Sequence, residues 1–164
     1  MAATKTTTKT KTTAQRPRAA RPSENVFTDE ERAAVQETAR ERKSHARLSP
    51  EEERKAGEQE VRAKIAEMPA PDREMGERIH ALVTKTAPVL LPRTYYGMPA
   101  YAKDGKVIAF FKPKSKFKVR YATFEFQPDA SLDDGEMWPV SFAVTKLTPR
   151  VEARIAELVK KGAG

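Results

Sequence analysis

The sequence predicts a two-layer α+β domain, an antiparallel sheet flanked by N-terminal and C-terminal helices, preceded by a polar helical extension and a disordered basic tail. Three observations lead there. Large apolar residues (Val, Ile, Leu, Met, Phe, Trp, Tyr) number 5 in residues 1–60 and 34 in residues 61–164, so core-forming capacity begins near residue 60. Apolar spacing is helical from Met75 to Thr86 and again from Val151 to Val159, with aromatic and β-branched runs between turn signals in the interval. Charge divides too: residues 1–23 carry six basic groups and no acid, and residues 70–164 carry 16 basic groups against 11 acids. The expected division is 1–25 as tail, 26–60 as helical extension and 61–164 as the folded domain.

The elements follow in order. Residues 4–22 are Thr, Lys, Arg, Ala and Pro with one Gln and no large apolar side chain, so nothing offsets the entropy of ordering them. Thr28 and Glu31 stand at capping-box spacing, as do Ser49 and Glu52 with Pro50 at the first helical position, which predicts two helices. Val35 is the lone large apolar residue of the first before Leu48, so that helix and the start of the second are expected to be solvated; Val61, Ile65 and Met68 give the second an adhesive face near its end. Pro69 and Pro71 break the chain before a core helix carrying Met75, Ile79, Leu82, Val83 and Thr86, closed by Pro88. Asp104-Gly105, between two strand-like runs, predicts a type I′ hairpin with Lys103 opposite Lys106 and Tyr101 opposite Ile108. The apolar run Val107 to Phe111 suits a central strand, and Pro113 to Lys116 suits a turn. Phe117, Val119 and Tyr121 are odd-numbered and Phe124 and Phe126 even, so a bulge or a change of covered face is expected near Ala122. After a loop over 127–136, Trp138 to Lys146 reads as the last strand. Thr148-Pro149 then opens a helix faced by Val151, Ile155, Leu158 and Val159 and closed by Lys160, Lys161 and a left-handed Gly162.

Composition narrows function mostly by exclusion. No apolar run approaches the roughly 20 residues of a membrane span, and no hydrophobic signal segment opens the chain, so a soluble cytoplasmic protein without a membrane partner is expected. Zero cysteines exclude disulfides, thiolate nucleophiles and every Cys-containing zinc site. The two histidines, His45 and His80, stand without a second His at metal-ligand spacing. With no nucleophile elbow and no phosphate-cradling Gly-rich loop, the expectation is a binding or carrier module with no catalytic residues, not an enzyme.

Tyr96-Gly97-Met98-Pro99-Ala100-Tyr101, followed by Asp104-Gly105-Lys106 and a Phe-rich second strand, resembles the YdhG-like domain family of small bacterial proteins. The resemblance runs from about residue 60 to 161 and takes in the preceding Ile- and Met-containing helix and the closing Leu-Thr-Pro helix. It implies an antiparallel sheet covered on one face by the first and last helices. Some relatives are described as frataxin-like intracellular iron chaperones, which implies iron as cargo. Hard iron prefers carboxylate oxygens where Cys and His are lacking, and the corresponding helix offers Asp72, Glu74 and Glu77. Arg73 and Arg78 interleave with them and make a poor ridge for a cation.

Three other sets stand out. Lys112, Lys114, Lys116, Lys118 and Arg120 fall on every second position; they read either as an anion or nucleic-acid contact beside aromatics or as the solvated face of a half-buried hairpin. Tyr95, Tyr96, Met98 and Tyr101, with Trp138, read either as a ligand or protein-docking surface or as aromatics packing under the helices around an edge-strand kink at Gly97 and Pro99. Asp129, Asp133, Asp134 and Glu136 fail the EF-hand pattern, because its glycine position holds Asp134, and read as a polar turn. The tail's six positive charges suit nonspecific nucleic-acid association through counterion release, with a solubilising tail as the other reading.

Overall fold

The computed structural model describes residues 28–45 and 48–164; the expected tail, residues 1–25, lies outside them. Among the described residues, five helices, α1 (Asp29–His45), α2 (Pro50–Ala66), α3 (Ala70–Thr86), the four-residue α4 (Lys114–Phe117), which stands where a turn was expected, and α5 (Pro149–Ala163), accompany five strands. The strands β1 (Leu91–Tyr95), β2 (Met98–Lys103), β3 (Lys106–Lys112), β4 (Ala122–Phe126) and β5 (Ser141–Val144) form one antiparallel sheet in sequential order. The architecture is the expected α+β one.

Local chemistry sets most boundaries. Both capping boxes form: Thr28 and Glu31 exchange bonds of 2.7 and 3.2 Å, and Ser49 and Glu52 close the start of α2 in the same way. Thr148 caps α5 by accepting from the Val151 amide. Asp104 and Gly105 adopt φ of 52° and 76° and Lys103 faces Lys106, as a type I′ turn requires. A second such turn, Tyr96-Gly97 with φ of 50° and 69°, joins β1 to β2; the kink expected at Gly97 and Pro99 is this hairpin. Pairing of β2 with β3 begins at Ala100, so Pro99 lies past it and its missing N–H costs that ladder nothing.

One face of the sheet carries Tyr101, Phe111, Phe124 and Val144, packed against Ile65 of α2, Ile79 and Val83 of α3, and Ile155 and Val159 of α5. An Arg78–Glu152 ion pair at 2.7 Å ties α3 to α5. The opposite face holds a smaller cluster, Met98, Ala100 and Phe110 beneath Tyr95, Tyr96 and Val107. Toward β5 it is bare, with Ser141 and Ala143 exposed.

Helix α2 crosses residue 60 without a break and packs along β1 well before Val61, because a Cβ at Gly57 would lie 1.8 Å from the Pro92 carbonyl oxygen. The start of α2 is thus seated on the sheet rather than solvated. It covers the free edge of β1, where an unpaired strand would otherwise template association. Helix α1 is held differently, by polar groups: Glu37 pairs with Lys64 at 2.5 Å and Glu41 accepts from the Gly97 amide at 3.1 Å, while Val35 stays exposed as expected.

Several sequence expectations need correction. Ile108 is an extra residue in β3, so Tyr101 faces Ala109 and not Ile108. Residues 116–121 form no strand: Pro113 starts α4, Lys118 closes it in the left-handed region at φ 52°, and β4 begins at Ala122, which explains the change of parity. The last strand is only Ser141–Val144, since Pro139 has no N–H for a ladder; Trp138 precedes it. Gly162 lies inside α5 against the Phe126 ring, and the left-handed residue is Gly164.

Replacing glycine by alanine inside a helix ordinarily stabilises by about 1 kcal/mol. Gly57→Ala is expected to do the opposite, with a loss of about 2 kcal/mol or more from overpacking against β1. Urea unfolding of the two proteins measures the sign, and a stabilised variant would contradict the seating of α2.

Candidate functional site

Between β3 and β4 the chain places five cations in nine residues, and the fold sorts them. Asp72, buried on α3, accepts the Ser115 amide at 2.8 Å and fixes α4 to the body of the protein. Lys116 turns inward: it donates to the Tyr96 carbonyl at 2.5 Å and lies 4.0 Å from Glu37. Burial pushes its amine below the ordinary lysine value, with Glu37 opposing that shift. Lys112, Lys114, Lys118 and Arg120 have no acidic partner among the described residues. Two of them lie instead on aromatic rings, Lys112 at 4.7 Å from the Phe117 centroid and Arg120 at 5.1 Å from that of Tyr121. Phe117 is 40% exposed and Val119 46%, so cations and flat apolar groups share one solvent-facing ridge. From it a groove of about 580 Å³ runs over the bare part of the sheet past Lys112, Arg120, Tyr121, Thr123 and Ser141.

A second concavity, also about 580 Å³, opens where α1 and the start of α2 meet the β1–β3 end of the sheet. Arg93, Tyr95 and Val107 line it, with Glu41 and Glu53 on the helical side and the Lys106–Asp129 ion pair, 2.6 Å, on the loop side. Sequence reasoning missed Arg93, whose significance comes from its surroundings and not from any motif. The Asp129 of the supposed acidic loop is here the partner of Lys106.

His80, set aside on sequence, is buried in a polar network. Its Nε2 lies 2.9 Å from the Glu58 carboxylate, to which it donates, and its Nδ1 lies 3.3 Å from the Tyr101 hydroxyl. Burial, and then the charge of Glu58, push the Tyr101 phenol far up. No substrate reaches a hydroxyl with Tyr101 fully buried, so this network belongs to the core.

The aromatic surface expected from the sequence is divided by the sheet. Tyr95, Tyr96 and Met98 do cluster, with Tyr95 5.4 Å from Phe110 and 4.5 Å from Tyr96 between ring centroids. Tyr101 is on the other face under the helices, and Trp138 packs at the end of α5 near Leu132 and Leu158. The every-second-residue basic set is not one strand face either, since a helical turn and the left-handed Lys118 interrupt it. Of the carboxylates of the iron reading, Asp72 accepts the Ser115 amide while Glu74 and Glu77 are exposed, and no three acidic or histidine side chains gather as a metal site among the described residues. No helix is long and apolar enough to cross a membrane among the described residues. Comparison with known proteins found no matching family model, curated protein or solved structure.

The Glu58 carboxyl is pushed up by burial, but hydrogen bonds and charge from His80 and Arg62 outweigh that and hold it below its ordinary value. A depressed folded value means that the stabilisation is complete above the unfolded value of about 4.5 and is lost as pH falls through the folded one. Glu58→Gln is therefore expected to lower stability at neutral pH and to flatten its fall below about pH 4.5. Urea midpoints across that range test this; parallel profiles for the two proteins would refute it.

Proposed function

We propose that this protein is a non-enzymatic cytoplasmic binding module of the YdhG-like kind, and that its partner is single-stranded nucleic acid. The observation that carries the reading is the ridge from the end of β3 to β4, where Lys112, Lys114, Lys118 and Arg120 lack acidic partners among the described residues, with Lys112 beside the exposed ring of Phe117 and Arg120 over Tyr121. Cations that follow a phosphate backbone and a π-face on which any base stacks are what sequence-tolerant single-strand binding uses. A duplex would be met by the charges alone, because Phe117 cannot stack on paired bases. The basic tail, outside the described residues, adds electrostatic attraction from the sequence side.

Iron delivery has the family resemblance as its support, but the arrangement of Asp72, Glu74 and Glu77 does not favour it. A protein-docking surface built on Tyr95, Tyr96, Met98, Tyr101 and Trp138 is disfavoured because these side chains divide between two faces.

Full-length protein is expected to bind a labelled oligo(dT) strand of about 15 nucleotides, and affinity should fall as salt rises with a slope of about 0.7 per phosphate contact. Lys114→Gln and Arg120→Gln should each reduce that slope by about 0.7. Phe117→Ala should weaken binding by the equivalent of about 1–3 kcal/mol with the slope unchanged. Fluorescence anisotropy over a salt series measures both quantities. Binding that is insensitive to all three substitutions and disappears on removal of residues 1–23 would assign the affinity to the tail and overturn the ridge.

A further inference from the structure

Arg93 is the one described residue with a shielded side-chain polar atom that finds no partner: its Nε is shut off from solvent and no acceptor meets it. No other hydrogen bond or ion pair compensates the guanidinium among the described residues. Arginine brings five donors in a fixed fork and remains charged at any physiological pH. A shielded Nε–H without an acceptor on a half-buried arginine is expensive to keep, since a desolvated donor costs free energy unless it is paired. Its register explains how it is accommodated. Arg93 faces Ala100 on β2, and Ala100 faces Phe110 on β3, so a small residue beside an aromatic leaves the long side chain room to lie over the sheet and reach the cleft.

We propose that the cleft at Arg93 binds a small organic carboxylate, with the carboxylate on the guanidinium and an apolar, preferably aromatic, body against Tyr95 and Val107. The volume of about 580 Å³ is that of a small-molecule site. A carboxylate matches the guanidinium fork in shape and charge. The charges around the cleft set the ligand class further. Glu41, Glu53 and Asp129 outnumber Arg93 and Lys106, and Lys106 is already held by Asp129 at 2.6 Å. That excess of negative charge opposes a dianion such as a phosphate monoester more strongly than a monoanion, whose one charge is met by the Arg93 fork. Tyr95 is braced edge-on by Tyr96 and at a tilt by Phe110, so the apolar wall is preformed. This site lies on the β1–β3 end of the sheet, apart from the ridge between β3 and β4, and does not depend on nucleic-acid binding.

The test uses the full chain, isotope-labelled so that the Arg93 Nε–H and the backbone amides are followed by NMR, titrated with benzoate, phenyl phosphate and benzyl alcohol. Benzoate is expected to shift Arg93 Nε–H together with the Tyr95 and Val107 amides saturably, phenyl phosphate to bind more weakly, and benzyl alcohol not to move Nε–H. Arg93→Met should abolish the benzoate response and leave the melting temperature of the free protein unchanged or higher, because it removes no hydrogen bond or ion pair. Arg93→Lys, which keeps the charge and loses the fork, should weaken the response, and Glu53→Gln should bring phenyl phosphate closer to benzoate. The proposal is overturned if no probe moves Arg93 Nε–H, if benzyl alcohol matches benzoate, if phenyl phosphate binds tighter, or if Arg93→Met and Arg93→Lys both lower the melting temperature as the loss of a structural group would.

Discussion

Helix α2 can follow the free edge of β1 only because residue 57 has no side chain. A Cβ there would lie 1.8 Å from the Pro92 carbonyl oxygen, and no rotamer choice relieves that contact, because the backbone alone fixes where a Cβ sits. From that seat the rest of the helix is placed. Val61 and Ile65 enter the core, Glu60 accepts from the Thr94 hydroxyl at 3.4 Å, and Glu58 reaches His80. Covering the edge with a helix leaves α3 and α5 to cover a single face. Toward β5 the other face is then free for groups that folding does not need.

The basic residues make the same division visible. Arg78 bonds Glu152, Lys64 holds α1 through Glu37, Lys103 donates to the Ala163 carbonyl at the end of α5 with a 2.7 Å bond, and Lys116 ties α4 to the Tyr96 turn. Each of these joins two elements, and the Lys103 contact also places positive charge where the helix dipole favours it. Lys112, Lys114, Lys118, Arg120 and Arg93 join nothing of that kind among the described residues. Surface ion pairs contribute little to stability, so a protein loses little by leaving exposed cations unpaired. Arg93 is different because part of it is shielded, and its cost is the stronger argument for a ligand.

What was legible in the sequence was local. Capping boxes need residues three apart, the Asp104-Gly105 hairpin is specified by two adjacent residues, and the helical faces of α3 and α5 repeat within one turn. What failed was set by distant partners. The alternation from Lys112 to Arg120 has the period of a strand, yet the Asp72 carboxylate, 43 residues before Ser115, caps a helical turn there. The bulge at Ile108 depends on how β3 meets two neighbours at once. Gly57 carries no sequence signal beyond being a glycine in a helix, and Glu58, His80 and Tyr101 lie on three different elements. Among site residues, the basic set and the Tyr95–Tyr96–Met98 cluster were readable as groups; Arg93 was not, because an unpaired charge is recognised only when its surroundings are known.

On the proposed reading, the cations of the ridge serve binding and not folding. Thermal melting of the full chain and of a variant carrying Lys112→Gln, Lys114→Gln, Lys118→Gln and Arg120→Gln, each with and without oligo(dT), tests it in one measurement. The unbound variant is expected to melt at the wild-type temperature or above it, and the oligonucleotide to raise the melting temperature of the wild type alone. A variant that melts well below the wild type without ligand, or that is stabilised by the oligonucleotide as much as the wild type, would contradict it.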